Sequence, residues 1–179
     1  MKTHYILVAA VVGIIGTAIA AFVFLDSTSS LSQQERGEIE EYVRESISVL
    51  AEEQVLVMSE QNDSVEDIIF FANRAFEGSD SYPIRTLSSG KRTYIYVIDK
   101  PTHTLVWSGG FPEEIGINVL ERDDTAQERT DRIYAAATQD GSWVVYDYYN
   151  PDNDGEQLEQ KEAFVISRGN LVIGAGIYE

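Results

Sequence analysis

The stretch that decides the fold runs Ser142-Trp-Val-Val-Tyr-Asp-Tyr-Tyr149, Asn150-Pro-Asp-Asn-Asp-Gly155, Gln160-Lys-Glu-Ala-Phe-Val-Ile-Ser167 and Asn170-Leu-Val-Ile-Gly-Ala-Gly-Ile-Tyr178. Three β-rich runs are separated by turn residues, which reads as consecutive strands. Their connections are too short for a helical crossover, so the strands pair antiparallel. Alternation puts Val144, Tyr146 and Tyr148 on one face of the first run, and Trp143, Val145 and Asp147 on the other. On the second run Lys161, Ala163 and Val165 share a face and Phe164 points away. Apolar groups on both faces predict that both are at least partly covered.

Upstream, Thr93–Asp99 reads as a strand, Asp99-Lys-Pro-Thr102 as a turn, and His103–Trp107 as the returning strand of a hairpin. Ser108-Gly-Gly-Phe-Pro112 breaks it. A helix follows from Asp124 or Thr125, with Thr125 and Glu128 as a capping box, Ile133, Tyr134, Ala136 and Ala137 as its inner face, and an end by Gly141. Leu31–Gln61 predicts one long helix, with Ile39, Tyr42, Val43, Ile47, Leu50, Val57 and Met58 near helical spacing. That stripe either packs on the sheet or forms a dimer seam. Ser64-Val-Glu-Asp67 caps a second helix that stops at Gly78, and Gly78–Gly90 reads as a loop anchored at Tyr82-Pro83. Helix, helix, two strands, helix, three strands is an α+β layout with one antiparallel sheet.

Tyr5–Leu25 is a charge-free run of 21 residues, long enough to cross a bilayer as a helix. Lys2 and the amino terminus precede it and acids follow, which favours an N-terminus inside and the rest outside. A cleaved signal peptide is the rival, since Ala18-Ile-Ala20 is an A-x-A site, but Ala21–Leu25 continues the apolar run. The expected organisation is a cytoplasmic stub over 1–4, a transmembrane signal anchor over 5–25, a linker over 26–32 and one domain over 33–179. The protein is then a single-pass protein of the cell membrane. With no output module after Glu179, any message passes to a homodimer mate or another membrane partner.

At Tyr94-Ile-Tyr-Val-Ile-Asp99 and from Gly141 to Tyr178 the sequence resembles a single Cache domain, a PAS-like extracytoplasmic sensor of prokaryotic receptors. The matching pieces are the aromatic strand ending in Asp99, Gly141 to Tyr146, Asn150-Pro151, Lys161 to Phe164, and Gly174-Ala-Gly-Ile-Tyr178. The resemblance implies a long N-terminal helix on a mostly antiparallel sheet of five to six strands, with a transmembrane helix before it. It also implies a ligand such as acetate, propionate or pyruvate. Two departures stand out. Trp107-Ser-Gly-Gly occupies the place of a His-Pro pair common in relatives, and Phe164 stands where a tyrosine is common.

The candidate ligand-binding residues are Lys161, Tyr146, Tyr148, Trp107, Tyr94 and Tyr96. A half-buried ammonium needs an anionic partner, either a ligand carboxylate or a surface acid such as Glu159 or Glu162. The aromatics supply an apolar pocket with a few placed hydroxyls and an indole N–H. Arg85, Arg92 and Arg168 are reserve anion partners.

Several classes are disfavoured. A net charge of −17 repels nucleic acid. There is no cysteine, and His4 and His103 are the only histidines, so thiolate chemistry and a nucleophile–His triad lack material. Asn150-x-Asp152-x-Asp154-Gly155 imitates a calcium loop, but Lys161 falls where its closing acid belongs. No cofactor, metal or enzymatic activity is expected. The reading is a membrane-anchored sensor domain for a small carboxylate. The alternative is a ligand-free interaction module on the same fold.

Overall fold

The alternating runs are realised as a single antiparallel sheet. The computed structural model describes residues 30–77, 84–153 and 157–179. The chain divides into two compact units, Met1–Ser32 and Gln33–Glu179, and every element named below belongs to the second. The stub at 1–4, the anchor at 5–25, most of the linker, Gly78, Tyr82-Pro83 and Asp154-Gly155 lie outside the described residues. Among the described residues no helix is long and apolar enough to cross a membrane.

The strands are β1 (Ile84–Thr86), β2 (Arg92–Asp99), β3 (Thr104–Ser108), β4 (Ser142–Tyr149), β5 (Leu158–Arg168) and β6 (Leu171–Tyr178). They form a six-stranded sheet in the order β1-β2-β6-β5-β4, with β3 also on β2. β1 and β3 share one edge of β2, the first pairing with Arg92–Tyr94 and the second with Tyr96–Asp99. β1 falls within the segment read as a loop. Its three residues are too few to show a period.

The helices are α1 (Gln33–Glu52), α2 (Val55–Glu60), α3 (Val65–Glu77) and α4 (Ala126–Ala136). α1 packs on β5 and β6, and α3 on β3, while α4 covers β4. Trp143 donates its indole N–H to Glu40 of α1, and Ile133 of α4 clusters with Tyr146. Because Trp143 and Tyr146 are on opposite faces of β4, the sheet lies between the N-terminal helices and α4.

The single helix expected from Leu31 to Gln61 is broken. Gln54 takes a left-handed conformation (φ 62°), and its N–H closes a turn on the Ala51 carbonyl. The bend brings Val55 and Ser59 into the core and leaves Val57 exposed. Ser59 Oγ donates to Asp99 Oδ1 at 2.8 Å, while Thr102 Oγ1 donates to Asp99 Oδ2 at 2.7 Å. The aspartate that ends β2 is therefore a satisfied buried group that fastens the hairpin turn. The Ser64–Asp67 box forms as expected, with the Asp67 N–H donating to Ser64 Oγ. The Thr125–Glu128 box does not. Asp123 Oδ1 instead accepts from the Thr125 N–H at 2.8 Å.

Two glycines of the resemblance motifs have steric reasons. Gly141 sits at φ 87°, and a Cβ there would lie 2.1 Å from the Phe164 ring. Gly174 forms the floor beneath Tyr96, and a Cβ there would lie 2.5 Å from that ring's Cζ and hydroxyl. Gly174→Ala is expected to cost roughly 1–3 kcal/mol, as overpacking in a filled core does. Denaturant unfolding reads this, and an unchanged midpoint would show that Tyr96 moves aside freely.

Candidate functional site

Between the sheet and α4 lies a cavity of about 40 Å³. One water needs roughly 10–15 Å³ by this measure, so the space suits about three water-sized positions or one very small organic molecule. The strand alternation aims the residues of one face into it. Tyr94 and Tyr96 come from β2, Tyr146 and Tyr148 from β4, and Lys161 from β5. Five of the six candidate residues thus meet at one place.

Trp107 does not join them. Ile98 pairs with Leu105 and Val97 with Trp107, so Val106 is an extra residue on β3. Such a bulge reverses the parity of the residues beyond it. Leu105 and Ser108 face the cavity, and Trp107 turns to the other side, its ring centroid 4.1 Å from that of Phe76. Its expected place in the aromatic pocket is therefore not what the structure shows.

Lys161 has no solvent exposure, and its Nζ has no hydrogen-bond partner among the described residues. The surface-acid alternative is not what the structure shows. Glu159 accepts from Asn150 and Asn153, and Glu162 lies on the opposite face with Arg36. Nζ is instead surrounded by tyrosine rings, at 3.9 Å from the Tyr94 centroid, 5.1 Å from Tyr178, 5.2 Å from Tyr96 and 5.9 Å from Tyr148. A ring face holds an ammonium by about 0.5–2 kcal/mol, against an effective penalty of several kcal/mol for removing an ion from water. Only Tyr94 is at close range, so desolvation wins and holds the Lys161 pKa well below the ordinary lysine value.

The hydroxyls around it are ordered. Tyr94 and Tyr178 share a short hydrogen bond, and Tyr178 Oη donates to the Tyr149 carbonyl at 2.6 Å. Tyr146 Oη donates to Tyr96 Oη at 3.0 Å. Tyr148 Oη donates to Glu114 Oε2 at 3.0 Å, and Glu114 Oε1 is paired with Arg122 at 2.5 Å. Burial raises the pKa of all five tyrosines, so their hydroxyls stay protonated and can donate.

Sequence reasoning missed Arg129, Tyr178 and Glu114. Arg129 lines the cavity from α4 with its guanidinium 4.9 Å over the Tyr148 ring. It is held by Asp123 at 2.8 Å and by Thr125 Oγ1 at 3.1 Å. Burial opposes ionisation of Asp123, but hydrogen bonds from Arg129 and Thr125, with the guanidinium charge, hold its pKa down to about 2. Arg129 stands one turn before Ile133, so the inner-face spacing pointed to it. Tyr178 faces Lys161 in the β5–β6 register, which the tight Gly169-Asn170 turn already implied. Glu114 carried no sequence signal.

The reserve arginines are engaged elsewhere. Arg85 pairs with Glu45, Arg92 with Asp152 at 2.6 Å, and Arg168 with the Gln139 carbonyl. Phe164 packs beside Trp143 on the α1 side, so its missing hydroxyl does not alter the cavity. Among the described residues no cluster of His, Asp or Glu is placed to hold a metal. The calcium-like turn spends Asp152 on Arg92 and Asn150 on Glu159.

No family model matches the chain, and no curated protein does. Solved structures do. A Cache chemosensory domain studied for carboxylic acid recognition superposes with TM-score 0.52 at 15% identity, over 79% of this chain and 91% of that one. The periplasmic sensor domain of a chemotaxis protein gives 0.53 at 16% identity, over 84% and 99%. A methyl-accepting chemotaxis protein from Vibrio parahaemolyticus gives 0.50 at 14% identity, over 80% and 87%. The likeness is one of fold: the chain has the α+β fold of Cache sensor domains.

Proposed function

We propose that this Cache-fold chain is an extracytoplasmic sensor domain whose ligand is a short carboxylate held at Lys161. The observation that carries the reading is the fully buried Lys161 ammonium, which lines a cavity and lacks a hydrogen-bond acceptor among the described residues. A ligand carboxylate supplies that acceptor and the missing charge together. Tyr96 Oη, which accepts from Tyr146, and Ser108 Oγ, which accepts from the Phe111 N–H, each keep a proton for a further polar contact. The neighbour described for carboxylic acid recognition supports the same ligand class. The rival, a ligand-free module, is supported less by a cavity that its own side chains leave open at about 40 Å³.

Occupancy would be reported through the sheet. β5 carries Lys161 on its cavity face and Glu162 on the face that meets Arg36 of α1. A shift of β5 on binding thus reaches the N-terminal helix, and through the expected anchor a homodimer mate or another membrane partner.

The test is a thermal-shift screen on the purified full chain with small acids, amines and amino acids. At a hundred times Kd a bound ligand stabilises by about 2.7 kcal/mol, which is roughly 5–10 °C for a domain of this size. A shift confined to short carboxylates is expected. Shifts by amines alone, or by nothing in the screen, would refute the assignment.

A further inference from the structure

A lysine stripped of water is a different reagent from one on a surface. Lys161 Nζ has no hydrogen-bond partner among the described residues, yet the side chain lines a cavity of about 40 Å³. The carboxylates nearest the cavity are already spent, Glu114 on Arg122 and Tyr148, and Asp123 on Arg129. Desolvation without a counter-charge disfavours the ammonium, so this amine gives up its proton more readily than an exposed lysine does. A neutral amine in an apolar site is the form of lysine that attacks carbonyl carbon.

Carbonyl addition also needs a proton for the oxygen, and the hydroxyls around the cavity supply one. Tyr178 donates to the Tyr149 carbonyl, so in the bond they share Tyr94 donates to Tyr178. Tyr146 gives its proton to Tyr96, and Tyr148 to Glu114. Of these five hydroxyls Tyr96 Oη is left with a proton to give. Its ring centre lies 5.2 Å from Nζ.

The space admits only a small reactant. Nζ lies on the Tyr94 face, and the other three ring centres are 5.1 Å or more away. The cavity has room for about two or three carbons, judged by the volume one water needs. The Tyr96 ring, seated on Gly174, bars a longer chain from running down the strands.

We propose that Lys161 also captures small aldehydes and ketones covalently, as an imine on Nζ, with Tyr96 Oη as proton donor to the carbonyl oxygen. This shares with the carboxylate reading only the premise that small molecules reach Nζ. The Nζ lone pair forms a C–N bond to the carbonyl carbon as the C=O π pair moves to oxygen. That oxygen takes the Tyr96 proton, and the tyrosinate recovers a proton from the nitrogen, which leaves a neutral carbinolamine. Its hydroxyl departs as water with the remaining N–H proton, and the imine forms. Amine and carbonyl compound thus become imine and water, with no oxidant or reductant, and water reverses the capture.

Acetaldehyde with sodium cyanoborohydride, applied to the full chain, tests this, because the hydride reduces the imine and fixes an ethyl group on its nitrogen. Peptide mass spectrometry after brief exposure at neutral pH reads each lysine, with exposed Lys91 as internal reference. Lys161 should be ethylated at least about tenfold faster than Lys91, since an ordinary exposed lysine is almost wholly protonated at that pH. A rate equal to or below that of Lys91 overturns the proposal. Benzaldehyde should label Lys91 and spare Lys161; equal labelling would mean that the amine is reached outside the cavity. Tyr96→Phe keeps the ring on Gly174 and should slow Lys161 ethylation about tenfold or more. An unchanged rate in a variant whose melt shows it folded removes Tyr96 as the donor.

The imine and the carboxylate anchor fail separately. If acids shift the melting temperature through Lys161 but acetaldehyde does not label it preferentially, the imine falls and the anchor stands. If acetaldehyde labels Lys161 preferentially and no acid shifts the melt, the anchor falls and the imine stands. If neither occurs, both fall.

Discussion

Lys161→Met should remove binding and leave the ligand-free protein at least as stable as the wild type. The two effects have one cause. The Lys161 amine has no exposure and no hydrogen-bond partner among the described residues, so it is a cost to the fold until a ligand arrives, as a desolvated ammonium at low pH and as an unsatisfied amine once burial has released its proton. Methionine keeps the length and flexibility of the side chain and adapts to an irregular apolar site. Replacing an unsatisfied buried amine or ammonium by such a group is expected to be neutral or to stabilise by about 2 kcal/mol. Losing one side of a buried, hydrogen-bonded charge pair costs an interaction roughly 2–5 kcal/mol, which is at least about 30-fold in Kd. Thermal melts with and without acid measure both. A variant that melts several degrees lower and still shifts with acid would mean that Lys161 is a structural cation and not the anchor.

The second large effect is on pH. Burial lowers the Lys161 pKa in the free protein. A carboxylate beside Nζ favours the ammonium and raises the pKa in the complex. Between the two values the complex holds one more proton than the free protein, so binding takes up a proton. Affinity should then be greatest at low pH, as long as the ligand stays ionised, and fall about tenfold per unit as pH rises through that window. The other groups around Nζ do not compete. Burial shifts the tyrosines upward, and for Asp123 the hydrogen bonds from Arg129 and Thr125 outweigh burial and hold its pKa at about 2. Calorimetry in buffers of different ionisation enthalpy, repeated across the pH range, should find proton uptake that rises toward one per site between the pKa of the free protein and that of the complex. Zero uptake would mean that the tyrosine cage keeps the lysine charged throughout. The same group acts oppositely on folding. Its folded pKa lies below its unfolded one, so the unfolded chain binds more protons in that interval and stability falls as pH drops through it.

Much of the site could be read from strand parity. Lys161, Ala163 and Val165 share the cavity face, as do Val144, Tyr146 and Tyr148, because a strand points successive side chains to opposite sides whatever it pairs with. Tyr94 and Tyr96 follow by the same rule on β2. Trp107 failed because one extra residue at Val106 reversed the parity, and a bulge is a property of the pair β2–β3. The long helix was legible as helix, but not its break. A glutamine at φ 62° carries no propensity signal, and only the gain from burying Val55 and from Ser59 meeting Asp99 places the bend there.

The sequence by itself therefore determined the α+β order, the antiparallel pairing and the two faces of each regular strand, since these follow from period, turn length and propensity. It also singled out Lys161. Only the tertiary structure decided that this lysine is without a hydrogen bond among the described residues and that Arg129 and Glu114 are already spent on Asp123 and Arg122. A cavity is the gap left between elements distant in sequence. Its size and free valences depend on how those elements meet, and no single segment encodes that meeting.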